Sequence, residues 1–340
     1  MSAVENAEVF WLDSKLRTPF RTAAGTFSER TSALVRLTGP DGVQGWGEYA
    51  PWPSASRSAT EPFERALDAL ERNESIDDCV TEAFGDFVHR SAAHAALETA
   101  LADMEARQQN VPLAQLLGGT SDVDSIAVNG ILGTEGLEDG FPAVKIKVGA
   151  GTADDDITTV HAARDRFGAD VELRLDANGA WSAKDAIKIL ARLEDSLPAY
   201  IEQPTPGPII AALAHVHRES LIPVFADESV VDMSSLEELV HENAVRGICI
   251  KLPRVGGPRS AVAIGRRALD AGLRVVISSN FEFGVGLAAA VHVAATIDPG
   301  EVHGLATGGM LESDVSSLLV PASGRVSVPT GPGLGITPEL

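Results

Sequence analysis

Ionisable residues recur along the second half of the chain at nearly constant spacing. Short apolar segments end in Lys145 and Lys147, then Arg174 and Asp176, then Glu202, Asp227 and Lys251. Successive gaps from Lys147 are 29, 26, 25 and 24 residues. One strand, one helix and their connections fill such a gap, so each residue falls at the same level of a repeating strand–helix array. Asp176, Glu202 and Asp227 form an all-oxygen set with no His or Cys among them. Such a set favours a hard cation, Mg²⁺ or Mn²⁺ in its place, over zinc. Period-two alternation puts Lys145 and Lys147 on one strand face, while Lys251 arrives from the other side of the site. A lysine beside a dication and other ammonium groups titrates lower than usual and can act as a base at neutral pH. The chemistry implied is α-proton removal from a metal-held carboxylate, with the enolate stabilised by the ion. One acid at a strand end is commonly a helix cap or a solvated loop residue. The ordered set on five successive strand ends selects the catalytic reading.

The elements that must carry these residues are legible as short apolar strands at 126–132, 143–148, 171–176, 199–202, 224–227, 247–251, 274–278 and 302–305. Helix-length segments lie between them at 153–167, 183–193, 208–217, 234–243, 259–271 and 285–296. About eight strands alternating with helices predict an α/β fold closed into a barrel, with the site at the C-terminal strand ends. Only residues 134–140 separate the first two strands, too few for a full helix. Upstream, strands at 8–16, 32–37 and 43–48 precede helices at 61–72, 91–109 and 112–117, an α+β unit over residues 1–120. Residues 121–310 then form the barrel, and the Gly/Pro-rich tail 311–340 is expected to pack back on the first unit.

The 340 residues carry a formal net charge of −21, and 44% are hydrophobic. A sizeable core can be buried, and nucleic-acid binding is excluded for want of Lys/Arg clusters. Only six of the 27 basic residues are lysines, and Lys145, Lys147 and Lys251 are three of them. Arginine cannot replace them as a base, because it stays protonated. Two cysteines, Cys79 and Cys249, form no CxxC motif and suit a reducing cytoplasm. No apolar run approaches a membrane span, and the N-terminus has no signal-peptide pattern. The expected partner is a small carboxylate substrate; the oligomeric state is left open. Trp46, Trp52 and Trp181 are assigned to packing, and Cys249 to the barrel interior.

The segments 144–149 (VKIKVG), 175–178 (LDAN), 200–204 (YIEQP), 225–229 (FADES) and 250–251 (IK) resemble the enolase superfamily, muconate-lactonizing subgroup. The resemblance implies an α+β capping domain over a modified (β/α)₇β TIM barrel. It implies Mg²⁺ ligands at Asp176, Glu202 and Asp227, and acid/base lysines at Lys147 and Lys251. Lys145 is implied to bind substrate and to lower the Lys147 pKa. Within the superfamily, the stretches 45–53, 174–181, 278–286 and 303–307 resemble the o-succinylbenzoate synthase family. That likeness implies a dehydratase with Arg174, Ser278, Ser279 and Gly304 contacting substrate. The chain departs from the family pattern at Asn280, Phe281 and Ala306. Asn178 and Glu228 lie beside ligands and are read as orienting them. The loop 17–30 is read either as a lid over the substrate or as an ordinary hairpin. The lysines on both faces equally suit a racemase of N-acylamino acids or a dipeptide epimerase. The acid that dipeptide epimerases carry at the eighth strand end is missing from 304–308. A cycloisomerase and a non-catalytic scaffold are the remaining alternatives.

Overall fold

The computed structural model describes residues 3–23, 25–72, 74–120 and 122–339. The chain opens on a long antiparallel hairpin, β1 (Asn6–Thr22) and β2 (Gly25–Thr38), to which β3 (Gln44–Tyr49) adds through a tight turn. The strands run further than the sequence pattern suggests, through much of the stretch read as a loop. The two strands go on pairing with each other, from Asp13 with Thr31 to Thr22 with Gly25, and where that pairing is interrupted Arg17 N donates to Met310 O and Leu16 bridges Leu311. A register shift between Lys15 and Phe20 bends the hairpin.

Three helices follow: α1 (Thr60–Glu71), α2 (Ile76–Ala83) and α3 (Phe87–Gln108). α2 is short and was not expected; Ser75 caps it by accepting from Asp78 N. The Ala-rich face of α3 lies directly on β3. A Cβ at Gly47 would sit 1.9 Å from Ala96 O and one at Gly45 2.0 Å from Ala100 O, so only glycine permits this approach. A short α4 (Leu113–Leu116) ends the unit.

The barrel begins with β4 (Ser125–Val128) and β5 (Gly130–Ile131), one strand direction interrupted at Asn129. It continues through β6 (Ala143–Lys147), α5 (Ala153–Phe167), β7 (Glu172–Asp176), α6 (Ala183–Ala191), β8 (Tyr200–Glu202), α7 (Ile210–Glu219) and β9 (Val224–Ala226). Then come α8 (Met233–His241), β10 (Gly247–Ile250), α9 (Leu252–Val255), α10 (Pro258–Asp270), β11 (Arg274–Ile277), α11 (Gly284–Ile297) and β12 (Val302–His303). β5 to β11 form a seven-stranded parallel sheet in sequential order. It closes through β12: Gly304 N donates to Ile277 O, Ser279 N to Gly304 O and Asn129 N to His303 O. No helix separates β5 from β6, as the short 134–140 interval implies.

The barrel interior is filled in layers. Tyr200 stacks on Phe225 with centroids 3.9 Å apart, beside the buried Cys249 and Val276. Phe225 takes the space beside Gly247, where a Cβ would lie 2.4 Å from its ring. Two residues on from Tyr200, Phe225 and Cys249, at the C-terminal strand ends, come Glu202, Asp227 and Lys251, and two on from Val276 comes Ser278. In the tail, β13 (Arg325–Ser327) pairs antiparallel with β4. Beyond it Leu113 N donates to Gly333 O, Leu334 N to Asp103 Oδ1 and the Arg107 guanidinium to Ile336 O. The tail therefore touches both the barrel and the N-terminal helices.

Candidate active site

A cavity of about 240 Å³ opens at the C-terminal strand ends beneath the N-terminal unit. The parallel register sets its floor, pairing Lys147 with Asp176 and Asp176 with Glu202 across neighbouring strands. Lys147 Nζ lies 2.6 Å from Asp176 Oδ2 and 2.9 Å from Asn178 Oδ1. Lys145 Nζ, one layer deeper, lies 2.7 Å from Glu202 Oε2 and 3.4 Å from Asp176 Oδ2. On the other side Lys251 Nζ lies 2.7 Å from Asp227 Oδ2, and Arg254 donates to Asp227 Oδ1. Asn178 Nδ2 donates to Glu228 Oε1 at 3.1 Å, and Gln203 Oε1 accepts from Asp227 N and Ser229 N.

All three strand-end carboxylates are fully buried. Burial alone would raise them. At Asp176 the ammonium groups of Lys147 and Lys145 outweigh it, and at Asp227 Arg254 and Lys251 do, so both titrate well below the usual range. Glu202 goes the other way: burial and the charge of Asp176 push it up to about 7 against the pull of Lys145. Burial would depress the lysines, but Glu202 and Asp176 raise Lys145, and Asp227 raises Lys251. Lys145 and Lys251 are thus raised, opposite to the lowering expected from the sequence, which counted on a dication beside them.

The residues fit such a cation by chemistry. Every donor is oxygen, and the buried Glu202 Oε1 and Glu228 Oε2 have no hydrogen-bond partner. Among the described residues no three acidic, His or Cys side chains yet converge on a common point, because the ammonium groups lie between them.

Lys145, Lys147, Lys251, Asp176, Asn178, Glu228, Ser278, Ser279 and Gly304 all line the cavity. Glu202 and Asp227 lie beneath it, bonded to the lining lysines. Arg174 does not line it, which corrects its reading as a substrate contact. It points inward two residues before the strand end, one layer too deep, about 6–7 Å along a strand. There it donates to Glu172, Glu301 and Val302 O over the Tyr200 ring.

Sequence reasoning missed Arg254, Asn129 and Thr307, which also line the cavity. Arg254 lies three residues past Lys251 in α9, one helical turn on, a spacing that was available as a signal. Trp52, assigned to packing, lines the cavity and stacks on Phe281 at 5.7 Å. Phe20 reaches it from β1, 4.6 Å from Phe281, with Lys147 Nζ 5.4 Å from its ring centre. The 17–30 segment is thus a hairpin in form and lies over the cavity in position.

Residues 134–339 match the enolase C-terminal domain-like family, and residues 6–118 match the mandelate racemase / muconate lactonizing enzyme N-terminal domain. The chain belongs to the enolase superfamily. Among superfamily members it is 32% identical to the L-Ala-D/L-Glu epimerase of Bacillus subtilis, over 94% of this chain and 93% of that protein. It is 33% identical to the N-succinylamino acid racemase of Amycolatopsis sp, over 94% and 91%. It is 30% identical to the o-succinylbenzoate synthase of Geobacillus kaustophilus, over 95% and 90%. The solved structure of the substrate-liganded Bacillus subtilis epimerase superposes with a TM-score of 0.88 at 29% identity, covering 99% of this chain and 100% of that one. The Enterococcus faecalis V583 dipeptide epimerase, complexed with Mg and the dipeptide L-Leu-L-Tyr, gives 0.85 at 29% identity, covering 98% and 99%. The superfamily relatives thus span epimerases, racemases and a synthase on one fold. Among the described residues no helix is long and apolar enough to cross a membrane.

Proposed function

We propose that this chain removes the α-proton of a small carboxylate with the help of Mg²⁺, and that its reaction is that of an o-succinylbenzoate synthase. That reaction is the syn dehydration of 2-succinyl-6-hydroxy-2,4-cyclohexadiene-1-carboxylate to 2-succinylbenzoate, a step of menaquinone biosynthesis. The observation that carries α-proton removal is that Lys147 and Lys251 both line the cavity, bonded to different members of the carboxylate set; the choice of the synthase reaction rests on the likeness of stretches 45–53, 174–181, 278–286 and 303–307. Mg²⁺ in relatives solved with it, and the oxygen-only donors here, support Asp176, Glu202 and Asp227 as its ligands. When bound there, the ion neutralises charge that gathers on the substrate carboxylate as the proton leaves.

Lys147 takes the α-proton and, now charged, gives it to the hydroxyl departing from the same face. Lys251 presents a positive charge to the opposite face. Lys145 holds Glu202 and Asp176 in place. Ser278, Ser279 and Gly304, which line the cavity, hold the succinyl end. Asn178 orients both Lys147 and Glu228. Two buried, free cysteines suit a reducing cytoplasm.

A second reading, racemisation of N-succinylamino acids, is favoured by the same lysine pair: proton removal on one face and return on the other needs both. Dipeptide epimerisation is less favoured, because the stretch 304–308 has no acid to hold an α-ammonium. The test incubates the purified protein and Mg²⁺ with the cyclohexadiene substrate and with N-succinylamino acids in parallel. Dehydration is expected. Racemisation without dehydration would install the second reading, and neither activity would overturn both.

A further inference from the structure

We propose that Arg30 is a positioning residue of the site, fastening together the two halves of the aromatic roof that faces the substrate. Arg30 belongs to β2, in the N-terminal unit, and is 2% exposed. A buried guanidinium is costly unless its donors are used. Nε and Nη1 make three hydrogen bonds, all to main-chain carbonyls: Nε to Phe281 O at 3.1 Å, and Nη1 to Pro51 O at 2.6 Å and Pro53 O at 2.8 Å, while the buried Nη2 has no partner. Pro51 and Pro53 flank Trp52. One side chain thus clamps the backbone on both sides of Trp52 and at Phe281, and these two rings stack and line the cavity. Burial disfavours the charge on Arg30, and the nearby Glu282 carboxylate opposes that only in part.

Phe281 shows why a clamp is needed. Its φ is +59°, a left-handed conformation that an aromatic residue adopts only when its surroundings hold it there. Phe281 N donates to Ser279 Oγ, Asn280 Nδ2 donates to Ala50 O, and Arg30 takes the Phe281 carbonyl. Two of these three bonds cross from the N-terminal unit to the barrel. The ring is then pressed between Trp52 and Phe20. Arg30 touches neither the cavity nor the carboxylates; it acts through the two rings.

The proposal rests on the reading of the cavity as the substrate site, and the test separates the two. Arg30→Lys in the full chain keeps the charge and loses the planar fork. Hydrogen exchange is expected to rise about fivefold or more in segments 50–54 and 279–283, with α3 and the barrel helices unchanged. KM is expected to rise about tenfold with kcat within about threefold and the Mg²⁺ dependence unaltered. Phe281→Ala, which spares the main-chain bonds and removes the ring, is expected to raise KM similarly, and the double variant to cost no more than the larger single change. Unchanged exchange in both segments, or additive effects on KM, would overturn the proposal. Global unfolding of Arg30→Lys would overturn it as well, by making Arg30 a stabiliser of the whole fold. A parent protein inactive on both substrates would instead sink the functional reading, and exchange alone would then decide the role of Arg30.

Discussion

Glu48, at the end of β3, offers a pH-dependent stability that can be worked from its surroundings. Its carboxyl is buried where the N-terminal unit meets the barrel, and accepts from Phe283 N at 2.9 Å and Gly286 N at 2.8 Å at the start of α11. Ser32 Oγ lies 2.7 Å from Glu48 Oε1 and 2.8 Å from Tyr49 O, so one hydroxyl proton faces two acceptors. A protonated Glu48 resolves the conflict by donating to Ser32, which then donates to Tyr49 O. Burial is the largest influence and pushes the carboxyl up to about 8 from 4.5; the Ser32 bond opposes it, the charge of Glu282 adds to it, and the backbone donors recover only part. The folded state therefore binds the proton more tightly than the unfolded chain. The resulting stability is complete below pH 4.5 and is lost as pH rises through 8. The full loss is about 5 kcal/mol, of which about 3 kcal/mol has gone by pH 7. Glu48→Gln is neutral at every pH. Its amide fits the Phe283 donor less well, but that adds a constant offset and no slope. Urea unfolding of both proteins from pH 4 to 9, followed by far-UV circular dichroism, isolates Glu48, because all other titrating groups are shared. The variant should gain several kcal/mol on the parent across the range. Parallel curves, differing in slope by less than about 1 kcal/mol overall, would refute the reasoning and make Glu48 an ordinary ionised carboxylate.

Asp176→Asn should raise the Mg²⁺ concentration for half-maximal activity by at least about tenfold; an unchanged metal titration would count against the ligand set. Lys251→Ala should abolish racemisation while one enantiomer still exchanges its α-proton for solvent deuterium at Lys147, and inversion at the parental rate would remove Lys251 from the reaction. Arg174→Met should lower unfolding stability by about 3–5 kcal/mol, since it strips Glu301 and Val302 O of a buried partner, while KM stays as in the parent. A changed KM without destabilisation would return Arg174 to the substrate.

The strand ends were legible because a parallel barrel repeats one strand and one helix in a nearly fixed length. Asp176, Glu202, Asp227 and Lys251 thus announce a common level by spacing alone. Depth within the barrel was less legible. Period two says that Arg174 and Asp176 face the same way, but which of them reaches the mouth depends on where the strand stops, and β7 stops at Asp176. Lys145, the register partner of Arg174, is equally deep, yet its ammonium turns to Glu202 and Asp176 and lines the cavity, whereas the Arg174 guanidinium turns to Glu172 and Glu301. The roof was hidden for another reason. Phe20, Trp52 and Phe281 come from a hairpin, a loop and a barrel turn, and no local pattern joins them. Only the packing of the N-terminal unit on the barrel does. Part of the β1 extension is hidden in the same way, since Leu16 and Arg17 pair with residues 311 and 310.

The central claim is that Lys147 removes the α-proton at a carboxylate-lined cation site. The most direct measurement compares Lys147→Ala with the parent at saturating Mg²⁺, scoring both product and solvent-deuterium incorporation at the α-carbon. An intact fold and a loss of at least about 10³-fold in both signals are expected. Turnover or exchange at the parental rate in Lys147→Ala would contradict it.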